Sequence, residues 1–506
     1  MEMMKGHKKM KITMKWVLLI AFSSLVAGCS MNGSEDDAPG APSENGMHHD
    51  RSGMEGMMHG HMNHDTPLPL EDSKGLNVLA IPPLLEKNTS GDVDYTLTAQ
   101  EGNRMLLEGQ ETETYGYNGD FLGPVLKLRK GETVRIKTVN ALDEDTTFHW
   151  HGLDVPGDVD GGPHNPLKSG EERVIEFNVT QEAATLWFHP HPHGKTAEQV
   201  YKGLAGLLYI EDDRSDSLNV PNDYGFNDFP ILLQDRAFTD NGELNYEAAY
   251  NSDGTLGDRL LVNGTLDPKL VVPKGKVRLR LVNGSNARNY TVALSSGDSF
   301  QQIATDGGLL NEPVEMDTLT LTPAERGEII IDFDQLQEVD NLALVDEQGT
   351  ILLPFEVNDE KTSKELSAEL NTFAVTEEER NLAVTKRLEL FGMMDMVTIN
   401  GKKFDMNRID MTQKVGETEV WELTNKPDPM GGMIHPFHIH GTQFKVISVN
   451  GKDPDDNLKG WKDTVALEPG DRVKIAISFE NKGVYMYHCH ILEHEDNGMM
   501  GQIEVN

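Results

Sequence analysis

Near its C-terminus the chain reads Tyr487-His488-Cys489-His490-Ile491-Leu492-Glu493-His494, with Met499 just beyond. In an extended strand successive side chains alternate between faces, so Cys489 points one way and His488 and His490 the other. One segment can therefore serve two metal centres on opposite sides, joined by covalent bonds. Cys489, His494 and Met499 offer a thiolate, an imidazole and a long, weak thioether, which are donors of a copper electron-transfer site. A site that takes electrons and is bonded to a second metal cluster implies redox catalysis.

The second imidazole is available at His435-Pro436-Phe437-His438-Ile439-His440. His438 and His440 share a face, and His435, offset by an odd number, can face away. Two more pairs lie upstream, in His149-Trp150-His151 and His189-Pro190-His191. Four H-x-H pairs place eight imidazoles, too many for one metal and suited to two or three copper ions. Pro190 lacks a ladder donor, so its segment is expected at a strand end or bulge. A lone H-x-H pair is usually no ligand, but four pairs with a cysteine inside one of them make coincidence very improbable.

Turn-rich composition (48 glycines, 24 prolines, 37% hydrophobic) suits a β protein better than a helical bundle. Alternating, β-branched runs recur at Thr133–Lys137, Val277–Val282 and Arg472–Ile477. Each follows a Lys-Gly or Pro-Gly turn (Lys130-Gly131, Lys274-Gly275, Pro469-Gly470), at a spacing near one domain length. One sandwich or barrel unit used three times explains this. Expected boundaries are 67–213, 214–357 and 358–506, with Glu377-Glu378-Glu379-Arg380 near a polar linker that helix or disorder could fill. All ligand motifs fall in the end units, so the eight imidazoles must lie where those units meet, with the middle unit setting the docking.

The four histidine blocks, in this order, resemble the copper motifs of multicopper oxidases of the laccase-like group, most of all bacterial copper-efflux oxidases and spore-coat laccases. Trp187–His191 and His488–Asp496 are especially similar, and the likeness continues through Asn283–Arg288 and Ala304–Leu310, covering roughly residues 67–506. The resemblance implies an all-β chain of three consecutive cupredoxin-like Greek-key β-sandwich domains. It implies four copper ions: one type 1, held by His435, Cys489 and His494 with Met499 axial; one type 2, on His149 and His438; and a type 3 pair. One type 3 ion would take His151, His189 and His490, the other His191, His440 and His488. Asp160 and Glu495 resemble the family's proton-relay acids, against the plainer reading of Asp160 as a solvated loop acid. His193 and His164 have no matched role.

What this implies is one-electron oxidation of phenolic or aromatic amine substrates at the type 1 copper, through His435 or His494 and Cys489, coupled to four-electron reduction of O₂ to water. Cuprous oxidation in copper tolerance is an alternative, since Met430 and Met433, with Met393, Met394, Met396 and Met500, crowd the same mouth. Gly431, however, stands where efficient Cu(I) oxidases of the family carry an aspartate, and their long Met-rich insert is absent. A copper-sequestering lipoprotein is the rival from another class, but none of the twelve matched ligand positions is substituted. A simple blue-copper carrier or a two-domain nitrite reductase would not need four H-x-H pairs.

Residues 1–28 read as an export signal, basic and then apolar from Trp16 to Ala27. Val26-Ala27-Gly28-Cys29 resembles a lipobox, which would leave a lipid on Cys29; a plain secretory signal or short membrane anchor is the other reading. The chain is then exported, and either lipid-anchored on the outer face of a bacterial cell membrane or extracellular. Residues 29–66, with Met47-His48-His49 and Met57-Met58-His59-Gly60-His61-Met62-Asn63-His64, form a flexible tether that could capture copper or merely space the enzyme from its lipid. With only two cysteines in the chain and Cys489 committed to copper, no disulfide is expected in the mature domains. The formal charge of −38 excludes nucleic acid as a partner and favours cations. A monomer is expected.

Overall fold

The computed structural model describes residues 68–506 apart from 338, 363–364 and 429–430. The expected signal and tether, including Cys29 and the Met47–His64 run, lie outside the described residues, as does Met430. Strands dominate, and they form six sheets that follow the chain in three pairs. The first pair has a four-stranded sheet, in which Thr133–Asn140 alternates strictly between buried and half-exposed positions beyond its first residue, facing a three-stranded sheet that contains Ala184–Phe188. In the middle pair, Lys276–Asn283 runs parallel to Asp228–Arg236 and antiparallel to Arg326–Asp332. In the last pair, Gly483–Cys489 lies between His435–Ile439 and Met500–Val505. This is an all-β protein of sandwich domains. The three expected alternating runs are all strands, at Thr133–Asn140, Lys276–Asn283 and Arg472–Ile477.

Each sheet pair closes over its own apolar core. Leu97, Val134 and Ile136 mark the first, Val277, Leu279 and Ile329 the second, Trp421, Phe437 and Ile475 the third. A further cluster, with Phe121, Trp187 and Leu207 against Leu232, Leu261 and Val282, glues the first sandwich to the second. Leu70 and Leu79 lie within the span 67–213 expected for the first sandwich yet pack in the second core, where Asn77–Val78 adds a parallel edge to Pro268–Lys274. The acidic linker is a short helix, Glu377–Asn381, started by a capping box between Thr376 and Glu379. No helix among the described residues is long and apolar enough to cross a membrane.

Two local features position the chemistry. Gly483–Cys489 is buried on both faces over its last five residues, unlike a strand with one wet side. Its register sets Phe437 opposite Cys489 and His438 opposite His488. Upstream, Ala184–Phe188 ends just before His189, as Pro190 requires, and an isolated antiparallel bridge pairs His149 with His189.

Candidate metal centre

On one face of Gly483–Cys489 the Cys489 Sγ lies 3.6 Å from His435 Nδ1 and 3.7 Å from His494 Nδ1. These donors are buried, and each lies within 4.8 Å of the others. His494 is carried by the short helix Leu492–Asp496, whose exit is fixed by Met499 N–H donating to the His494 carbonyl (2.8 Å). Met499 is fully buried in the same core as Cys489, and its carbonyl accepts from the Cys489 N–H (3.1 Å). Burial pushes the Cys489 thiol up and holds His435 down at about 3. A thiolate in so dry a place needs a cation beside it, and a neutral imidazole is the form that ligates one.

On the other face His488 and His490 join the remaining six imidazoles. His149 stacks on His440 and His151 on His438, each pair with ring centroids 3.7 Å apart. The Nε2 atoms of His191 and His440 lie 3.2 and 3.0 Å from that of His488. His490 sits beside His151 and His189, with centroids at 5.1 and 5.3 Å. Three sets of imidazoles have donor atoms close enough to share an ion: His149, His438 and His440; His149, His151 and His189; His191, His440 and His488. Desolvation, then neighbouring imidazoles, hold His151, His189, His191, His440, His488 and His490 low, so they are neutral at physiological pH.

The hydrogen bonds choose which nitrogen each ring leaves bare. His149 Nδ1 donates to the Asp160 carbonyl (3.0 Å), His438 Nδ1 to the Asp463 carbonyl (2.9 Å) and His189 Nδ1 to the Pro190 carbonyl (2.9 Å). His151 is reversed: its Nε2 donates to Asp463 Oδ1 (3.0 Å), leaving Nδ1 toward His189. His149 Nε2, His438 Nε2 and both nitrogens of His490 are buried without a hydrogen-bond partner. Such orphans cost about 1–3 kcal/mol each unless an ion takes them up. A buried thiol with two imidazoles and a thioether, beside eight buried imidazoles of which several have bare nitrogens, fits copper.

Carboxylates bracket the cluster. Asp160 Oδ2 accepts from His440 Nδ1 (2.8 Å). The loop approaches so closely after Asp160 that a Cβ on Gly161 (φ +82°) would fall 1.8 Å from the Phe148 carbonyl oxygen. Glu495 lies 3.3 Å from His488 Nδ1 and 3.4 Å from His191 Nε2. Burial, then Asp496 and Glu493, raise Glu495 well above the usual carboxylate range, which favours its protonated form. Asp496 also caps the helix Thr196–Lys202 through the N–H groups of Thr196 and Ala197 (3.0 and 2.9 Å). His193 is exposed against Phe404, and His164 bonds Gln502, both away from the clusters.

Sequence reasoning missed two acids here. Asp463 touches His151, and Asp253 Oδ1 lies 3.9 Å from His494 Nε2 and accepts from the Met394 N–H. The only signal for Asp463 was a charged pair, Lys462-Asp463, leading an otherwise apolar strand. Asp253 sits in a loop with no motif. Met393 is buried, Met396 is exposed, and Met433 packs on the third core.

Three β-sandwiches with a buried thiol site wired through one strand to an imidazole cluster define a copper redox protein. Family profiles described as multicopper oxidase match residues 98–215, 218–363 and 377–506. The chain is 52% identical over 438 residues to multicopper oxidase mco of Staphylococcus aureus, covering 86% of this chain and 94% of that one. It resembles the crystal structure of a laccase from Pediococcus acidilactici at 45% identity and a TM-score of 0.82, over 87% of this chain and 95% of that one. A bacterial laccase-like multicopper oxidase from Ochrobactrum sp., with oxidase activity towards lignin model compounds and lignosulfonate, matches at 36% identity and a TM-score of 0.76, over 85% and 100%. The chain belongs to the multicopper oxidase family. It is a copper-dependent oxidoreductase that couples oxidation of a reducing substrate to reduction of dioxygen.

Proposed function

We propose that this chain is a laccase-like oxidase whose preferred donors are phenols and aromatic amines, with Cu(I) a poorer one. The single observation that carries this is the His494 edge, whose Nε2 faces the Asp253 carboxylate at 3.9 Å. A phenol reaching His494 meets an acceptor for its O–H where its electron leaves. The lignin-model activity of the Ochrobactrum relative supports the same donor class. A second reading, cuprous oxidation, draws on the methionine loop: Met394 is tied to Asp253, and the backbone of Gly392 bonds His435. Gly431 is exposed and brings no carboxylate to that mouth.

In this reading His435, Cys489, His494 and Met499 hold the type 1 copper, and His149 and His438 the type 2. The type 3 pair falls to His151, His189 and His490 on one side and His191, His440 and His488 on the other. Copper supplies the reversible one-electron chemistry that no side chain of this chain has. Cys489 leads to His488 and His490 through its own peptide bonds, and the Cys489 carbonyl also accepts from His488 Nδ1 (3.1 Å). Four single-electron oxidations are needed for each dioxygen reduced to two waters, with four protons. Ligating imidazoles cannot give those protons, so Glu495, whose burial favours the protonated form, and Asp160, on His440, deliver them. The buried walls keep bulk water from both sites.

Export and lipid attachment at Cys29, copper capture by the Met/His tether, a role in copper homeostasis, a monomeric state and the boundaries 67–213, 214–357 and 358–506 complete the proposal. They rest on the sequence. The test is oxygen uptake by the copper-loaded protein with a dimethoxyphenol and with Cu(I) as donors. Faster uptake with the phenol is expected. A preference for Cu(I) would reverse the donor order, and no uptake with either would defeat the reading.

A further inference from the structure

The middle sandwich contributes none of the histidines described above, yet through Arg326 it grips the carboxylate that holds His151. Arg326 begins the strand Arg326–Asp332 and is wholly buried. Its Nη1 and Nη2 donate to both oxygens of Asp463, at 2.7 and 2.5 Å. Its remaining N–H groups go to the carbonyls of Thr185 (3.1 Å), Ala324 (3.0 Å) and Asp306 (2.9 Å). All five guanidinium donors are thus used, on acceptors from all three sandwiches. Asp463 passes this order on: Oδ1 accepts from His151 and from Thr464 Oγ1 (2.9 Å), and lies 3.6 Å from His438 Nδ1. Asp306 braces the same corner, accepting from the Arg326 N–H (2.8 Å) and from Lys462 (3.1 Å), which also pairs with Glu325 (2.8 Å). A Cβ on Gly152 would stand 2.7 Å from Asp463 Oδ2 and 2.9 Å from Arg326 Nη2, so the chain leaves no room there for another side chain.

Asp160 shows what the arginine adds. Asp160 and Asp463 are counterparts, each giving a carbonyl to one ring of a stacked imidazole pair and a carboxylate to the other. Asp160 Oδ1, however, is buried with no hydrogen-bond partner, whereas both oxygens of Asp463 are engaged by Arg326. His151, His438 and Asp463 also bring ligand atoms within 4.8 Å of one another, a two-histidine, one-carboxylate set that could itself take a divalent ion.

We infer that Arg326 is a positioning residue for the imidazole cluster: it holds Asp463 as a hydrogen-bond acceptor for His151, and it keeps that carboxylate out of the metal's ligand set. The inference rests on the copper reading of the cluster. A planar fork satisfies both carboxylate oxygens at once, which a lysine ammonium cannot do. Metal loading of a cluster built by the two end sandwiches therefore depends on docking of the middle one.

The test uses full-length protein loaded with copper alone or with equimolar copper and zinc. Metal content, the Cu(II) paramagnetic resonance of the imidazole-held copper and the thiolate blue band are the readouts. Arg326→Gln is expected to weaken copper retention by the cluster about 10- to 100-fold, shift its resonance and admit more zinc, with the blue band kept. Arg326→Lys should move the same way by less. The double variant Arg326→Gln/Asp463→Asn should keep the shifted resonance but lose the excess zinc, because the competing carboxylate is gone. A defect in docking alone would give both variants the same metal selectivity. Wild-type resonance and zinc exclusion in Arg326→Lys and Arg326→Gln would overturn the inference; if Arg326→Gln does not fold, wild-type behaviour of Arg326→Lys overturns it alone. Wild-type protein that takes no copper at its imidazoles would instead overturn the copper reading beneath it.

Discussion

At the thiol site every donor comes from residues 435–499, whereas the imidazole cluster draws half of its rings from residues 149–191 and half from 438–490. The first site is thus assembled by one sandwich. The second exists only when the two ends of the chain dock, and buried ion pairs from the middle sandwich hold that docking. The two sites share a single strand, so electrons can cross between them through covalent bonds. They need not share stability. The difference predicts that damage to docking should strip the cluster before it touches the thiol site.

Asp160→Asn should have the largest effect of those that separate the two sites. Reoxidation of the reduced enzyme by dioxygen is expected to slow by about 10²- to 10⁴-fold, while anaerobic reduction of the thiol site by a phenol keeps its rate. Equal slowing of both half-reactions would show that Asp160 does not act at the cluster alone.

Docking itself can be weakened at Arg280, which pairs with Asp228 (2.6 and 2.7 Å) and donates to Thr185 Oγ1 (3.0 Å), on the strand that leads into His189. Arg280→Met leaves the buried Asp228 carboxylate with only the longer Arg278 contact (4.0 Å) and should cost up to about 3–5 kcal/mol. On heating, copper should leave the imidazoles before the blue colour fades; simultaneous loss would break the comparison. Acid should do the same more gently. Burial would raise Asp228, but Arg280 and Arg278 outweigh it and hold the carboxyl below its usual range. A depressed carboxyl contributes stability above its unfolded value and loses it as pH falls through the folded one. Unfolding monitored by circular dichroism should therefore set in below about pH 4, and Arg280→Met should remove that acid-dependent part.

The smallest expected effect lies at the thiol site's mouth. Asp253→Asn should lower kcat/KM for phenols by about tenfold and leave the blue band and the cluster's resonance unchanged. An unaltered kcat/KM would remove Asp253 from the donor site.

The same division explains what could be read from the sequence. Cys489, the H-x-H pairs and the alternating runs are signals of local period, and strand geometry alone sorts their faces. Asp160 and Glu495 were found only through resemblance to a family, since nothing in their immediate sequence marks a proton donor. Asp463, Arg326 and Asp253 were illegible, because the side chain of each meets its deciding partner (His151, Asp463 and His494 in turn) more than a hundred residues away. A charged residue in a β-strand reads as a solvated face until the docking that buries it is known. Likewise the segment with Leu70 and Leu79 gives no sign in sequence that it crosses to the second core.

The central claim is that one strand serves two independent metal sites, and Cys489→Ser tests it most directly. Copper content, visible absorption and Cu(II) resonance of the loaded variant should show the blue band gone and oxidase activity lost. On the proposed count of four ions one copper should be missing, and the imidazole-held signal should match the wild type. A variant that keeps its colour, or one that loses all of its copper, would contradict the account.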